Sequence, residues 1–291
     1  MIVVTGPTGN IGSRLVPQLL RRGEQVRVIA RNSAKLPRDI QSKVEVIEGS
    51  SNDVKVLNHA FKGAERLFWL IPPPFIVHDV VDHFMGFASA AAKAIKAQGV
   101  QRVVAVSGLY GRRSRASNFE VSSPPVDDLI RDTVGNYCAL QCASFMDNVV
   151  RQVRPIRAEG MFFQPLKADV KIPYVATRDV AAAAESLLLD GSWTGHRSVS
   201  VMGPEDLSCN DMARIMSEVL GKSVGYQQIS DAAFKAQMIG WGASAAVSEF
   251  VAGLLAEARE NPYGAGSRTS ESTTPYSFRE WCTDVLKPAV S

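Results

Sequence analysis

Short apolar runs punctuate the chain, separated by longer stretches in which apolar residues recur every third or fourth position. The runs are Met1 to Val4, Gln25 to Arg31 (QVRVIAR), Lys43 to Glu48 (KVEVIE), Arg66 to Ile71 (RLFWLI), Gln101 to Ser107 (QRVVAVS) and Asn136 to Cys142 (NYCALQC). Each has the length and β-branched or aromatic content of a strand. Between them the helical period appears: Ile11, Leu15 and Leu19 with Val16 and Leu20 beside them; Val54 to Phe61; His78 to Ala97, apolar at Val81, Phe84, Ala88, Ala91 and Ile95; and Val126 to Thr133. Strands alternating with helices predict an α/β protein built on a doubly wound parallel sheet. Pro72-Pro73-Pro74 stops the fourth strand, because proline cannot donate to a ladder.

The later pattern is more helical. Val175 to Ala181 opens a helix running to Leu189, with Asp179 in its first turn, and His196 to Met202 reads as a late strand. Ser208 and Asp211 form a capping pair ahead of a helix from Met212 to Leu220. Beyond Gly221 comes an α-rich tail with Trp241 and Phe250 as apolar anchors, a loop from Tyr263 to Pro275, and a last helix from Phe278. The expected division is a nucleotide-binding domain over 1–155 and a smaller α-rich C-terminal lobe over 156–291, with some elements returning to the sheet.

The first strand carries the clearest chemistry. It ends in Thr5 and three glycines, Gly6, Gly9 and Gly12, and a helix follows at once. Gly6 permits a tight turn, Gly9 lets backbone approach a pyrophosphate, and Gly12 lets helix pack on strand. The helix N-terminus then presents free N–H groups and a positive dipole end to the anion. Past the second strand, about 20 residues beyond the glycines, an NAD-binding chain carries an acid for the ribose 2′-hydroxyl. Here the position is Arg31, followed by Asn32 and Ser33. A guanidinium grips a 2′-phosphate through charge-assisted bonds of about 1.5–3 kcal/mol each, so the expected cofactor is NADP(H).

Composition narrows the class without naming a substrate. The 291 residues, 46% hydrophobic and 21% charged, suit a globular protein. A formal net charge of +3 gives no argument for nucleic acid. No apolar run reaches a membrane span, and the chain opens directly on a strand, so the expectation is a cytoplasmic protein with a small-molecule substrate and no membrane partner. Whether it forms a homodimer stays open. Cys138, Cys142, Cys209 and Cys282 lack C-x-x-C spacing and read as buried thiols. In the His78–His83 group Asp79 pairs with His83 at i, i+4, as His78 does with Asp82, and two ligands do not make a closed metal site, so no metal is expected. Asp53 suits a helix cap better than an adenine contact. The loop with Arg112, Arg113 and Arg115 reads either as a wall of a substrate pocket or as a solvated cluster.

Taken together, GPTGNIG at the turn, IARN closing the second strand, FMDN after the sixth and RDVA opening the later helix resemble the NmrA-like group of atypical short-chain dehydrogenases/reductases. The group includes NADPH quinone reductases, triphenylmethane-dye reductases and NADP-sensing regulators. The resemblance implies a Rossmann domain with a small C-terminal lobe closing over the nicotinamide. It implies nucleotide contacts from Gly6, Thr8, Gly9, Asn10, Ile11, Gly12, Arg31 and Asn32, with Ile71, Pro72 and Ser107 lining the strand ends.

One departure matters. The wider superfamily uses Tyr-x-x-x-Lys, whose lysine lowers the tyrosine pKa for proton transfer. No tyrosine here has a lysine four residues on, and no lysine lies between Lys96 and Lys167. The expected reaction is hydride transfer to an acceptor that stabilises the incoming electron pair itself: a quinone, iminium ion, cationic dye or activated enone. Tyr110, Phe145, Met146 and Asn148 are the expected pocket residues, Tyr110 being the one nearby phenol and the catalytic candidate. The alternative is a non-catalytic NADP(H) sensor that binds a protein partner.

Overall fold

The strands predicted from the apolar runs assemble into one sheet because each carries apolar side chains on both of its faces. The computed structural model describes residues 1–110, 124–264 and 266–291, so the Arg112–Arg115 loop lies outside the described residues. β1 (Ile2–Thr5), β2 (Val26–Ala30), β3 (Glu45–Glu48), β4 (Arg66–Trp69), β5 (Arg102–Gly108) and β6 (Asn136–Cys142) pair in parallel with a later strand, His196–Val201. The order across the sheet is His196–Val201, β6, β5, β4, β1, β2, β3, which is the doubly wound arrangement.

Alternation along the strands divides the interior in two. Ile2 and Val4, with Val28, Phe68, Val104 and Leu140, join a core containing Leu15, Leu19, Val180 and Ala184 of the helices Gly12–Arg21 and Thr177–Leu189. Val3, Ile29, Leu67, Trp69 and Val103 face the other way, against the helices Val54–Phe61, Val80–Gln98 and Pro124–Arg131. Ala88, Ala91 and Ala94 let Val80–Gln98 lie close on the sheet.

That long helix departs from its expected pattern at the N-terminal end. It starts at Val80, because the Asp79 carboxylate accepts from the Val81 and Asp82 amides at 2.6 and 3.0 Å. Val80 is buried and Val81 exposed. The reason is a change of partner along its length. Its first turns leave the sheet and join a third cluster with Phe234 and Met238 of Asp231–Gly240 and Val247 and Ala252 of Ala245–Glu260. His83 Nε2 lies 2.9 Å from the Pro72 carbonyl and ties this helix back to the triple proline after β4.

The helix expected from Val175 begins instead at Thr177. Ile172–Val175 is a buried strand, parallel to Ser144–Phe145 and antiparallel to Asp206–Leu207. Two further strands that the apolar pattern did not predict, Met161–Gln164 and Gly225–Gln228, pair with each other in parallel. The tail returns to the first core: Phe278, Trp281, Cys282 and Leu286 are fully buried there. No described helix is long and apolar enough to cross a membrane.

Candidate functional site

The glycine turn lies at the carboxyl end of β1, held by its neighbour strand. Thr5 is fully buried; its hydroxyl donates to the Phe68 and Leu70 carbonyls and accepts from the Leu70 amide at 2.7 Å. Gly6 has φ +61°, the left-handed region that favours glycine. A Cβ on Gly12 would stand 2.2 Å from the Gly6 carbonyl oxygen, so only glycine lets the helix start so near the strand end. The Gly9 amide donates to that same oxygen at 3.1 Å and closes the turn. No side chain caps the helix Gly12–Arg21, and no acid occupies its first turn. Thr8, Gly9 and Asn10 are exposed, and Ile11 is buried beneath them. This is a cradle of backbone amides with a bare positive helix end.

Arg31 follows β2 directly and is exposed; its guanidinium makes no ion pair or hydrogen bond among the described residues. The Asn32 side chain accepts from the Ala34 amide at 3.0 Å, so it shapes the turn that presents Arg31. Glu48 at the end of β3 accepts from the Ser33 amide and hydroxyl at 3.4 and 3.3 Å. Asp53 caps Val54–Phe61 through the Lys55 amide at 2.8 Å. Ile71 and Pro72 follow β4, both partly buried, and Ile71 packs against the second core.

Ser107 sits at the end of β5 with its hydroxyl donating to Asp127 Oδ2 at 2.7 Å. The Tyr137 hydroxyl donates to Asp127 Oδ1, also at 2.7 Å. All three are buried, and burial with the adjoining carboxylate drives the Tyr137 phenol well above its ordinary pKa. Asp127 is a functional candidate that the linear sequence does not mark, since Asp127, Ser107 and Tyr137 lie in three separate segments.

Tyr110 is buried rather than aimed at open space. Its hydroxyl donates to the Pro262 carbonyl at 2.9 Å, and burial pushes the phenol pKa up. Tyr174 lines the cleft described below, its phenol raised well above the ordinary pKa by burial, and three further phenols are engaged in hydrogen bonds. Tyr226 donates to the Gln164 and Leu166 carbonyls, Tyr263 to Asp206, and Tyr276 to Asp284 at 2.6 Å. Burial is the main reason the Tyr276 phenol rises to about 12.

Of the expected pocket residues, Phe145 and Asn148 line an open cleft, whereas Met146 is fully buried in the first core. The opposite wall consists of Phe234, Met238, Trp241, Val251 and Leu255, with Arg151 and Gln164 also lining. Phe234, Met238 and Trp241 fall at i, i+4 and i+7 on one helix face, a periodicity present in the sequence. The two walls are joined to the sheet by the segment after β4: the Ser244 amide donates to the Phe75 carbonyl at 2.9 Å, and the Val77 amide to Ser244 Oγ at 3.3 Å. Asp147 and Asp179, within the FMDN and RDVA segments, both do structural work. Asp147 accepts from the Thr177 amide and hydroxyl at 3.2 and 2.9 Å, and Asp179 accepts from the Tyr276 amide at 3.1 Å.

Comparison with known proteins matches residues 1–260 to the model of the NmrA-like family. The chain is 29% identical over 242 residues to a (4-alkanoyl-5-oxo-2,5-dihydrofuran-3-yl)methyl phosphate reductase of Streptomyces griseus, covering 82% of this chain and 80% of that one. It is 27% identical to an NAD(P)H azoreductase of Xenophilus azovorans, with 83% and 82% covered. Among solved structures, a triphenylmethane reductase of Citrobacter sp. complexed with NADP(H) superposes over 100% of both chains with a TM-score of 0.80 at 22% identity.

Proposed function

The chain belongs to the NmrA-like family, and from that premise we propose that it is an NADPH-dependent reductase of electron-poor acceptors. One observation carries the reading: an uncapped helix N-terminus behind a glycine turn that admits no side chain at Gly12. The reductase names of the relatives support it. In this reading the amides of Gly6 to Gly12 hold the pyrophosphate and the unpaired guanidinium of Arg31 takes the 2′-phosphate. When bound, the nicotinamide supplies a hydride.

The protein's own part is to position. Asp127 fixes the Ser107 hydroxyl at the end of β5, beside the path of the dinucleotide. The cleft holds the acceptor between Phe145 and the helix face of Phe234, Met238 and Trp241. Hydride transfer to a simple ketone needs an acid worth about 10²–10⁴-fold in rate. The Tyr110, Tyr226, Tyr263 and Tyr276 phenols donate instead to carbonyls or carboxylates, and none has a lysine four residues on. An acceptor that stabilises its own reduced form and collects a proton from water fits this site, and catalysis then rests on proximity.

The test mixes the purified protein with NADPH and a panel of quinones, iminium ions and activated enones, following loss of nicotinamide absorbance. Turnover on any of them supports the reductase. Tight NADPH binding with no turnover supports instead the NADP(H)-sensing regulator.

A further inference from the structure

The charges around the cleft are unevenly distributed. Lys235 is paired with Glu249 at 2.7 Å and Arg259 with Asp231 at 2.9 Å. The amide of Gln152 is committed in both directions to the backbone of Phe163, each bond 2.7 Å. Arg151, which lines the cleft, has no ion pair or hydrogen bond among the described residues. Its guanidinium stands 6.0 Å from the centroid of the Phe75 ring and is exposed. Beside it, Asn148 is exposed as well.

Exposed apolar side chains gather around the same place. Phe75 and Ile76 are 40% and 77% exposed, in the segment bonded to Ser244, and Phe75 abuts Gly242. Val150 precedes Arg151, and Ile239, 50% exposed, closes the helix that carries Phe234 and Met238. A largely apolar slot with an apolar rim, in which Arg151 has no carboxylate partner among the described residues, is complementary to a flat hydrophobic molecule bearing a negative group.

We propose that the cleft selects acceptors with an apolar body and an anionic substituent such as a sulfonate, carboxylate or phosphate, and that Arg151 is the residue that meets the anion. The inference rests on the reductase reading for its biological sense, and it narrows that reading. A cationic dye would meet like charge at Arg151, so the preferred acceptors are neutral at the reacting centre and negative at the periphery. The substituent takes no part in the reaction. A quinone gains the hydride from NADPH and a proton from water, leaving hydroquinone and NADP⁺ with the anionic group unchanged.

The experiment uses two pairs of probes on the full chain and on Arg151→Gln and Arg151→Glu. The first pair reports binding without chemistry: 1-anilinonaphthalene-8-sulfonate and its uncharged analogue N-phenyl-1-naphthylamine. Loss of one charge-assisted contact should weaken the sulfonate roughly tenfold in Arg151→Gln, and further in Arg151→Glu, with the neutral probe unchanged. The second pair is 1,2-naphthoquinone-4-sulfonate and 1,2-naphthoquinone; the loss should be confined to the sulfonated quinone and appear in KM. Equal effects on both members of each pair, or no effect on either, overturn the anion site. If the binding probes separate but neither quinone is turned over, the anion site stands and the reductase reading falls. If both quinones are reduced and the variants treat them alike, the reverse holds.

Discussion

Two residues decide whether a phosphorylated dinucleotide can be held. Gly12→Ala would drive a methyl group against the Gly6 carbonyl, 2.2 Å from where its Cβ would sit. We expect the helix to shift away from β1, costing about 1–3 kcal/mol, and NADPH affinity to drop at least tenfold by calorimetry while far-ultraviolet circular dichroism stays near wild type. Arg31→Asp tests the other end of the ligand. Replacing an unpaired guanidinium with a carboxylate should lower NADPH affinity roughly ten- to hundredfold and leave NADH binding equal or better; unchanged NADPH affinity would remove Arg31 from the site. Both residues are legible in the sequence because each acts through its own position: a glycine through its missing side chain, an arginine through a strand end. Asp127 is not, because its meaning lies in Ser107 on β5 and Tyr137 on β6, which only the folded chain brings to the helix that carries it.

Elements are legible where local chemistry sets their limits and obscure where the tertiary neighbour does. The Ser208–Asp211 pair is local, and it forms a reciprocal capping box at the start of Cys209–Leu220. Hydrogen bonds from the Ser208 hydroxyl and amide hold the Asp211 carboxyl below the usual carboxylate range. A depressed carboxylate stabilises the fold above its ordinary pKa, and that contribution fades as pH falls through the folded value. Ser208→Ala should therefore cost about 1 kcal/mol at neutral pH, with the gap in Tm from wild type narrowing as pH drops below about 4. A gap that stayed constant with pH would contradict the charged cap. The start of Thr177–Leu189 is the opposite case. Its cap is Asp147, thirty residues away in sequence, so a local reading prolongs the helix into a buried strand.

At the scale of the whole molecule the three apolar clusters differ in reach. The first runs from Ile2 and Leu15 to Phe278, Trp281 and Leu286, binding the tail to the sheet. Trp281→Ala should then destabilise the entire chain by about 3–5 kcal/mol, read as an earlier urea transition in all probes together. The third is small and confined to Phe234, Met238 and their neighbours beside Val80. Phe234→Ala should raise hydrogen exchange in Asp231–Gly240 and Ala245–Glu260 while the amides of β1, β4 and β5 keep their protection. This unequal division is hard to see in the chain itself, since the same Phe and Met residues serve a broad core and a local one.

Val80–Gln98 belongs to both the sheet-backed core and the small one, with His83 clasping the Pro72 carbonyl between them. One helix therefore touches both the wall behind the cleft and the segment leaving β4, and the two are continuous through it.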